Sequence, residues 1–314
     1  MTQEPRTGRR TAPTGLLLVC GAGVVWGTIG PAVAVVGDRT SLSVLMMGAY
    51  RSVAAVLVMV AVVALGRHWG TCRRLLREAG ARAVTVGLLT AAFQMLFFVA
   101  VLATGVSVAT VVAMGIPPVL LLVLHTVRDR RAPSLGQLAT VATALAGLLL
   151  VSLLGGGHAP GGETTVSGVL IALASGAAYA LSAEFGGPLT KTYGAVPTAT
   201  ATLSVVCLTL VPLGVVTALV LDQPMTTSDP VAWSLLVYLG VVTMALAYVL
   251  LFAGLRTTSS GNAVLATLLE PVTAVLIAVA FLGEALTAAG VVGSALVLVA
   301  IASLGRQLEE PEPK

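Results

Sequence analysis

The stretch "TLLEPVTAV", residues 267–275, places the acidic Glu270 directly before Pro271 inside a long apolar run. The run around it extends for about 20 residues, which is the length of helix that crosses a hydrocarbon core. Because its apolar residues are continuous rather than alternating, the run predicts a membrane-spanning helix and not a barrel strand. A carboxylate in such a helix requires either a functional or a structural explanation.

Similar apolar runs recur along the whole chain. Of its 314 residues, 57% are hydrophobic and only 10% are charged, against roughly 25% charged in soluble domains. No segment between the runs exceeds about 20 residues, which excludes a folded soluble domain for catalysis or nucleic-acid binding. We predict an all-α integral membrane protein with ten transmembrane helices, at roughly 14–36, 41–65, 83–104, 106–126, 134–154, 166–188, 196–220, 231–254, 261–282 and 286–304.

The basic residues are distributed unequally between the two sides of the predicted membrane. Fifteen of the 17 Lys and Arg residues fall on the side of the termini, Arg39 falls on the other side, and Arg51 lies within a span. Positively charged loops stay in the cytoplasm. We therefore expect cytoplasmic termini in a multi-pass protein of the plasma (inner) membrane, and a basic surface that sets topology.

The chain contains an internal repeat. At an offset of 154, residues 98–136 match residues 252–290, and at an offset of 153 the first span matches the sixth; the aligned pairs are Phe98 with Phe252, Ala109 with Ala263, Pro117 with Pro271, Gly136 with Gly290, Gly15 with Gly168, Gly23 with Gly176 and Trp26 with Tyr179. Five spans per repeat is an odd number, so the second repeat enters the membrane from the opposite side. The prediction is two inverted five-helix repeats (5+5): 14–154 and 166–304, with an extracytoplasmic linker at 155–165 and cytoplasmic tails at 1–13 and 305–314.

The two matching prolines are expected at one depth near the middle of the membrane. Pro117 and Pro271 each lie about 10 residues from a membrane surface, or about 15 Å. Proline removes a backbone donor, so we expect both helices to kink there and to flank a central cavity. Gly27, Gly30 and Pro31 weaken the first span towards its outer end and are candidates for a hinge or gate.

At this point the residues resemble a known family. Residues 247–300 are similar to the C-terminal signature of the drug/metabolite transporter superfamily, EamA type, in "LEPV" at 269–272, "FLGE" at 281–284, Thr287 and the helix at Gly290. The first half resembles the same repeat in "VVWGTIG" at 24–30 and "AYRSVAAVLVM" at 49–59, but has Ile116 before its proline and Arg130 in place of Glu284. The resemblance implies ten helices, cytoplasmic termini, a cavity lined mainly by spans one to four and six to nine, and export of small metabolites.

Two charged side chains are the main candidates for a binding site. Glu270 and Arg51 are each expected about 15 Å deep, where charged groups tend to face a cavity. Glu270 could bind a substrate ammonium or exchange a proton, or it could hydrogen-bond a carbonyl freed by Pro271. Arg51 could bind a substrate carboxylate, or form an ion pair with Glu270 whose role is structural.

Five further residues are weaker candidates for substrate binding or coupling. Glu184 lies near the cytoplasmic end of the sixth span, where snorkelling to the interface would explain it equally well. Gln94, Trp26, Tyr179 and Tyr248 could offer a hydrogen bond or an aromatic face to a cavity, or could simply pack.

The function predicted from the sequence is secondary export of small polar metabolites, amino acids or related compounds, by alternating access. The alternative is a membrane-embedded enzyme acting on lipid-linked phosphate, which would need clustered acids or histidines, whereas the histidines here are scattered. The expected partners are a small-molecule substrate and the lipid bilayer, with no nucleic acid, cofactor or metal ion. The sequence leaves the oligomeric state open.

Overall fold

The structure, a computed structural model, describes residues 11–154, 165–281 and 287–309, and these residues form helices joined by short connections. The helices of the first half are α1 Thr11–Gly27, α2 Ile29–Arg39, α3 Val44–Leu65, α4 Trp69–Thr104, α5 Val106–Asp129 and α6 Leu135–Leu154. Those of the second half are α7 Val166–Tyr193, α8 Ala195–Val220, α9 Pro230–Gly240, α10 Ala247–Gly254, α11 Ser260–Ala266, α12 Leu269–Phe281 and α13 Ala288–Glu309, with a π-helical segment, Val241–Leu246, between α9 and α10.

These helices form ten spans that are long and apolar enough to cross a membrane. Three spans are composite: span 1 consists of α1 and α2, span 8 of α9, the π-helical segment and α10, and span 9 of α11 and α12. The all-α, ten-helix prediction is confirmed. One boundary differs, because the arginine-rich segment expected as a loop before span 3 is helical from Trp69, with a kink at Ala79 (φ −139°, ψ 24°).

The packing of the spans follows an inverted repeat. Span 3 packs on span 6, and the equivalent pair, span 8 on span 1, also packs. Replacing each span by its equivalent in the other repeat likewise converts the contact between spans 4 and 6 into the contact between spans 9 and 1. Spans 2 and 7 contact each other, as do spans 5 and 10, so each of these pairs contains a span and its own equivalent. The two five-helix repeats therefore face each other about a pseudo-two-fold axis.

Matching glycines occupy matching close contacts in the two halves. A Cβ on Gly23 would lie 3.3 Å from the Thr267 carbonyl oxygen of span 9, and a Cβ on Gly176 would lie 2.5 Å from the Ala113 carbonyl oxygen of span 4. Thr267 and Ala113 are themselves separated by the repeat offset of 154. Small residues let backbones approach closely in membrane helices, and here they seat the two repeats against each other.

Spans 1 and 9 are broken near the middle of the protein. Span 1 is interrupted at Thr28, whose amide N–H bonds to the Val25 carbonyl (3.2 Å). Span 9 is interrupted at residues 267–268, where the Leu268 and Glu270 N–H groups bond to carbonyls three residues earlier. Helix α12 then restarts with Pro271 in its first turn, where the missing N–H of proline has no intrahelical partner to lose.

Span 4 does not share this break. Helix α5 continues through Pro117 and Pro118, both of them buried, so the helical interruption that precedes Pro271 in span 9 has no counterpart at Pro117. A proline can continue a membrane helix where neighbouring groups accommodate the freed carbonyl. The break in the first repeat lies instead at Gly27 and Thr28 of span 1, beside the expected gate residues Gly30 and Pro31.

Some predicted features lie outside the described residues. They are Glu284, nearly all of the linker at 155–165, most of the N-terminal tail and the end of the C-terminal tail.

Candidate functional site

A cavity of about 90 Å³ lies between the two repeats. Spans 1 to 4, 6, 8 and 9 contribute its lining: Trp26, Ile29, Arg51, Phe93, Gln94, Phe97, Phe98, Met114, Tyr179, Tyr248 and Glu270. Six of the seven residues predicted as substrate or coupling candidates are in this set. A cavity of this size holds a few water molecules or a small solute.

The two helix breaks bring Glu270 to the cavity. Glu270 lies in the first turn of α12, where the positive end of the helix dipole favours a carboxylate. The break is held against span 1, because a Cβ on Gly27 would lie 2.6 Å from the Glu270 carbonyl oxygen. The Glu270 side chain forms no hydrogen bond with any described residue. In this state, the Glu270 carboxyl therefore does not bond a carbonyl freed by Pro271.

Arg51 enters the cavity from span 2 and is 6% exposed. Its Nε is buried and has no hydrogen-bond partner. Arg51 and Glu270 are near enough for their charges to interact. However, every Arg51 nitrogen lies farther from the Glu270 carboxyl oxygens than 4.0 Å, the limit for an ion pair. The cavity thus contains one cationic and one acidic side chain, both described, that are not paired directly.

Gln94 adds a third unpaired polar group. It is 7% exposed, and neither its Oε1 nor its Nε2 has a hydrogen-bond partner. Buried polar groups in folded proteins are nearly always hydrogen-bonded, and leaving one unpaired costs about 1–3 kcal/mol. Unpaired groups on Arg51 and Gln94 therefore indicate that a ligand or water completes this site.

Aromatic side chains form most of the remaining wall and fix its shape. The Trp26 ring packs edge-on against Tyr248 at 5.5 Å and Tyr179 at 6.3 Å between centroids, and Phe93 lies 5.0 Å from Tyr179. The indole N–H of Trp26 donates to the Thr243 carbonyl (2.9 Å). The Tyr179 hydroxyl donates to Thr267 Oγ1 (3.0 Å) at the break of span 9.

The repeat explains the origin of the polar lining. Trp26 and Tyr179 are equivalent at the offset of 153, and Gln94 and Tyr248 at the offset of 154. In contrast, Glu270 corresponds to Ile116 in the first repeat. The acidic charge is therefore present in only one of the two repeats.

Glu184 does not line the cavity. It lies in a network at the side of the bundle that carries the termini, which we call the terminal side. Its carboxylate accepts hydrogen bonds from Arg128 Nη1 (3.0 Å) and from Ser260 Oγ, and its Oε2 lies 3.0 Å from His125 Nε2. Spans 4, 6 and 9 are joined by this network, so Glu184 has partners within the protein and does not need to snorkel.

Sequence reasoning missed the apolar part of the cavity wall, Ile29, Phe93, Phe97, Phe98 and Met114. Such residues are ordinary in membrane helices, and nothing in their spacing separates a cavity-facing side chain from a lipid-facing one. Phe98 had a signal, since it matches Phe252 in the repeat, but repetition alone does not indicate a cavity.

Comparisons with known proteins agree with this architecture. The model of the EamA-like transporter family matches residues 13–153 and 166–306. A curated relative, the "Uncharacterized transporter YwfM" of Bacillus subtilis (strain 168), is 29% identical over 286 residues, covering 91% of each chain. A solved structure described as "Crystal structure of protein" superposes with a TM-score of 0.74 at 20% identity, over 95% of this chain and 99% of that one, which shows a shared fold. With the family model matched once in each repeat, the chain belongs to the EamA-like transporter family.

Proposed function

We propose that this transporter exports small zwitterionic metabolites, amino acids or close relatives, by alternating access through the cavity between the repeats. The observation that carries the proposal is the presence of Arg51 and Glu270 in one cavity without a direct ion pair. A substrate with one carboxylate and one ammonium group would satisfy both charges at once. The fork of donors on Arg51 suits a carboxylate, and the Glu270 carboxylate suits an ammonium.

The surroundings of the charges support a small substrate. The volume of about 90 Å³ is well below the roughly 300–1,000 Å³ of drug-sized pockets. The aromatic wall offers apolar contact to a side chain and a π face to a cation. Gln94 adds a donor and an acceptor that no described residue satisfies.

The helix breaks and the Glu184 network support alternating access. The network links spans 4, 6 and 9 on the terminal side, whereas Ile29, Phe97 and Phe98 extend the cavity lining towards the opposite side. We infer that these polar contacts close access to the cavity from the terminal side in this state. The charge bias of the sequence supports a cytoplasmic terminal side in the plasma membrane, so substrate would be released outward from this state.

Counterflow in proteoliposomes tests the proposal. Purified protein would be preloaded with an unlabelled neutral amino acid, and uptake of the labelled compound would be measured beside its amide, which lacks the carboxylate, and its des-amino acid, which lacks the ammonium. We expect exchange of the zwitterion and at least tenfold slower exchange of the two analogues, because losing one charge contact costs about 1.5–3 kcal/mol. Equal exchange rates for the amino acid, its amide and its des-amino acid would refute the zwitterion assignment.

Substitutions assign the two charges. Arg51→Gln should reduce discrimination against the amide, and Glu270→Gln should reduce discrimination against the des-amino acid. Because one substrate joins both groups, the double variant should lose less than the product of the single losses. Arg306→Gln and Asp38→Asn, at exposed positions outside the cavity, serve as controls. Turnover of a lipid-linked phosphate without flux would instead favour the membrane-enzyme alternative.

A further inference from the structure

The first part of α4, before its kink at Ala79, has the features of a lipid-binding element. Its residues 69–79 leave Trp69 50% exposed and Leu76 57% exposed, while Leu75 is fully buried against the protein. Trp69, Arg73 and Leu76 follow one another at spacings of four and three, which places them on one helix face. A helix with apolar anchors interspersed with arginine lies in the interface between lipid headgroups and acyl chains.

A groove of about 520 Å³ lies between this helix and the end of span 6. It follows the kink at Ala79, and Arg77 and Arg82 line it together with Thr192 and Tyr193. Neither arginine forms an ion pair with a described residue. The two guanidinium groups therefore leave positive charge in a cleft on the terminal side of the bundle.

The one acidic residue that lines the groove is already compensated. Glu78 accepts two hydrogen bonds from Arg74 Nε, both at 3.1 Å, and one from the Tyr193 hydroxyl at 3.0 Å. Arg74 also stacks over the Tyr193 ring at 5.5 Å. Glu78 is thus occupied within the protein, so its charge does not offset those of Arg77 and Arg82.

We propose that this groove binds the headgroup of an anionic phospholipid, with Arg77 and Arg82 contacting the phosphate and Trp69 and Leu76 anchoring the helix among the acyl chains. Basic pockets between membrane helices and clusters of basic residues beside them attract anionic headgroups. The apolar face beside the groove distinguishes a lipid from a soluble anion, because a free anion would gain nothing from Trp69 and Leu76. This site is separate from the transport cavity.

Native mass spectrometry of the full-length protein in detergent tests the site. The protein would be titrated with phosphatidylglycerol, which is anionic, and with phosphatidylcholine, which is zwitterionic. We expect preferential binding of phosphatidylglycerol and a loss of about 30-fold in its affinity in Arg77→Gln/Arg82→Gln, since each basic residue near a headgroup contributes roughly fivefold. The control Arg131→Gln/Arg306→Gln removes the same charge from exposed positions outside the groove and should bind like the wild type.

Three outcomes would overturn the proposal: no preference for phosphatidylglycerol in the wild type, no loss in Arg77→Gln/Arg82→Gln, or an equal loss in the control. Displacement of phosphatidylglycerol by millimolar inorganic phosphate would also overturn it, in favour of a soluble-anion site. Thermal melting of each variant checks the fold. If the double variant melts below the wild type, Arg77→Gln alone tests the same contact, with an expected loss of about fivefold.

Discussion

Replacing Gly27 by alanine should disrupt the contact between the two broken spans. A Cβ at Gly27 would lie 2.5 Å from Thr273 Cβ and 2.6 Å from the Glu270 carbonyl oxygen. Neither atom is the end of a flexible side chain, so the helices themselves must separate by several tenths of an ångström. Inserting a methyl group into a packed contact costs about 1–3 kcal/mol.

Gly30→Ala provides a matched control three residues along the same span. No atom lies within 4 Å of a Cβ built at Gly30, and alanine in a helix is favoured over glycine by up to about 1 kcal/mol. We therefore expect Gly30→Ala to match or slightly exceed the wild type in melting temperature, and Gly27→Ala to melt several degrees lower. The ranking follows from sterics, since both substitutions add the same methyl group.

Detergent melting curves and counterflow would be measured together. Gly27→Ala should lose at least tenfold in flux, because the break that carries Glu270 is displaced from span 1 and small displacements of binding groups are costly. Equal melting temperatures for Gly27→Ala and Gly30→Ala, together with wild-type flux in Gly27→Ala, would show that the two spans are not held together at this contact.

Three further predictions concern other parts of the molecule. Cys72, as the sole cysteine, should resist an impermeant maleimide in intact cells and react after permeabilisation, because the terminal side is expected to be cytoplasmic; labelling in intact cells would reverse the topology. Glu184→Gln removes the charge that joins spans 4, 6 and 9, at a cost of about 1.5–3 kcal/mol, and should speed labelling of a cysteine introduced at Gly187 by tenfold or more, whereas Asp38→Asn should not. Asp229 caps α9, and the hydrogen bonds that its carboxyl accepts from the Ala232 and Val231 N–H groups, together with the charge of Arg39, lower the pKa of that carboxyl. The stabilising effect is complete above the pKa of about 3.9 that the group has when unfolded, and it is lost as the pH falls through the lower folded value. Asp229→Asn should therefore flatten the acid limb of a stability–pH curve, and an unchanged limb would contradict this assignment.

The positions of the spans could be predicted because lipid imposes a simple rule on the backbone. Apolar runs of sufficient length must be helices, and ten such runs were found where expected. The repeat was also visible, since glycines such as Gly23 and Gly176 are required at equivalent helix contacts and leave a pattern in the sequence. Helix length and the positions of close helix contacts can therefore be predicted from the sequence.

The details of the helix breaks were less accessible. Pro117 and Pro271 look equivalent in sequence, yet of the two spans that contain them only span 9 is interrupted, because whether a proline interrupts a membrane helix depends on its neighbours in three dimensions. Similarly, the sequence predicted that Arg51 and Glu270 lie at the same depth, but it could not predict the distance between their side chains. Depth follows from residue counting along each helix, whereas the separation of two side chains depends on helix tilt and rotamer.

The π-helical segment Val241–Leu246 records a difference between the two halves of the duplicated chain. Up to Gly87 and Gly240, which both pack against a span of the other repeat, the halves align at an offset of 153, and from Gln94 and Tyr248 onward they align at 154. A π turn takes up one residue more than an α turn, so the additional residue was accommodated there without rotating Tyr248 away from the cavity. The segment also supplies the Thr243 carbonyl that holds the Trp26 indole. The half that contains the additional residue thus has a backbone acceptor for Trp26 beside the cavity, and deleting one residue from this segment should restore an ordinary helix while leaving the tryptophan without its anchor.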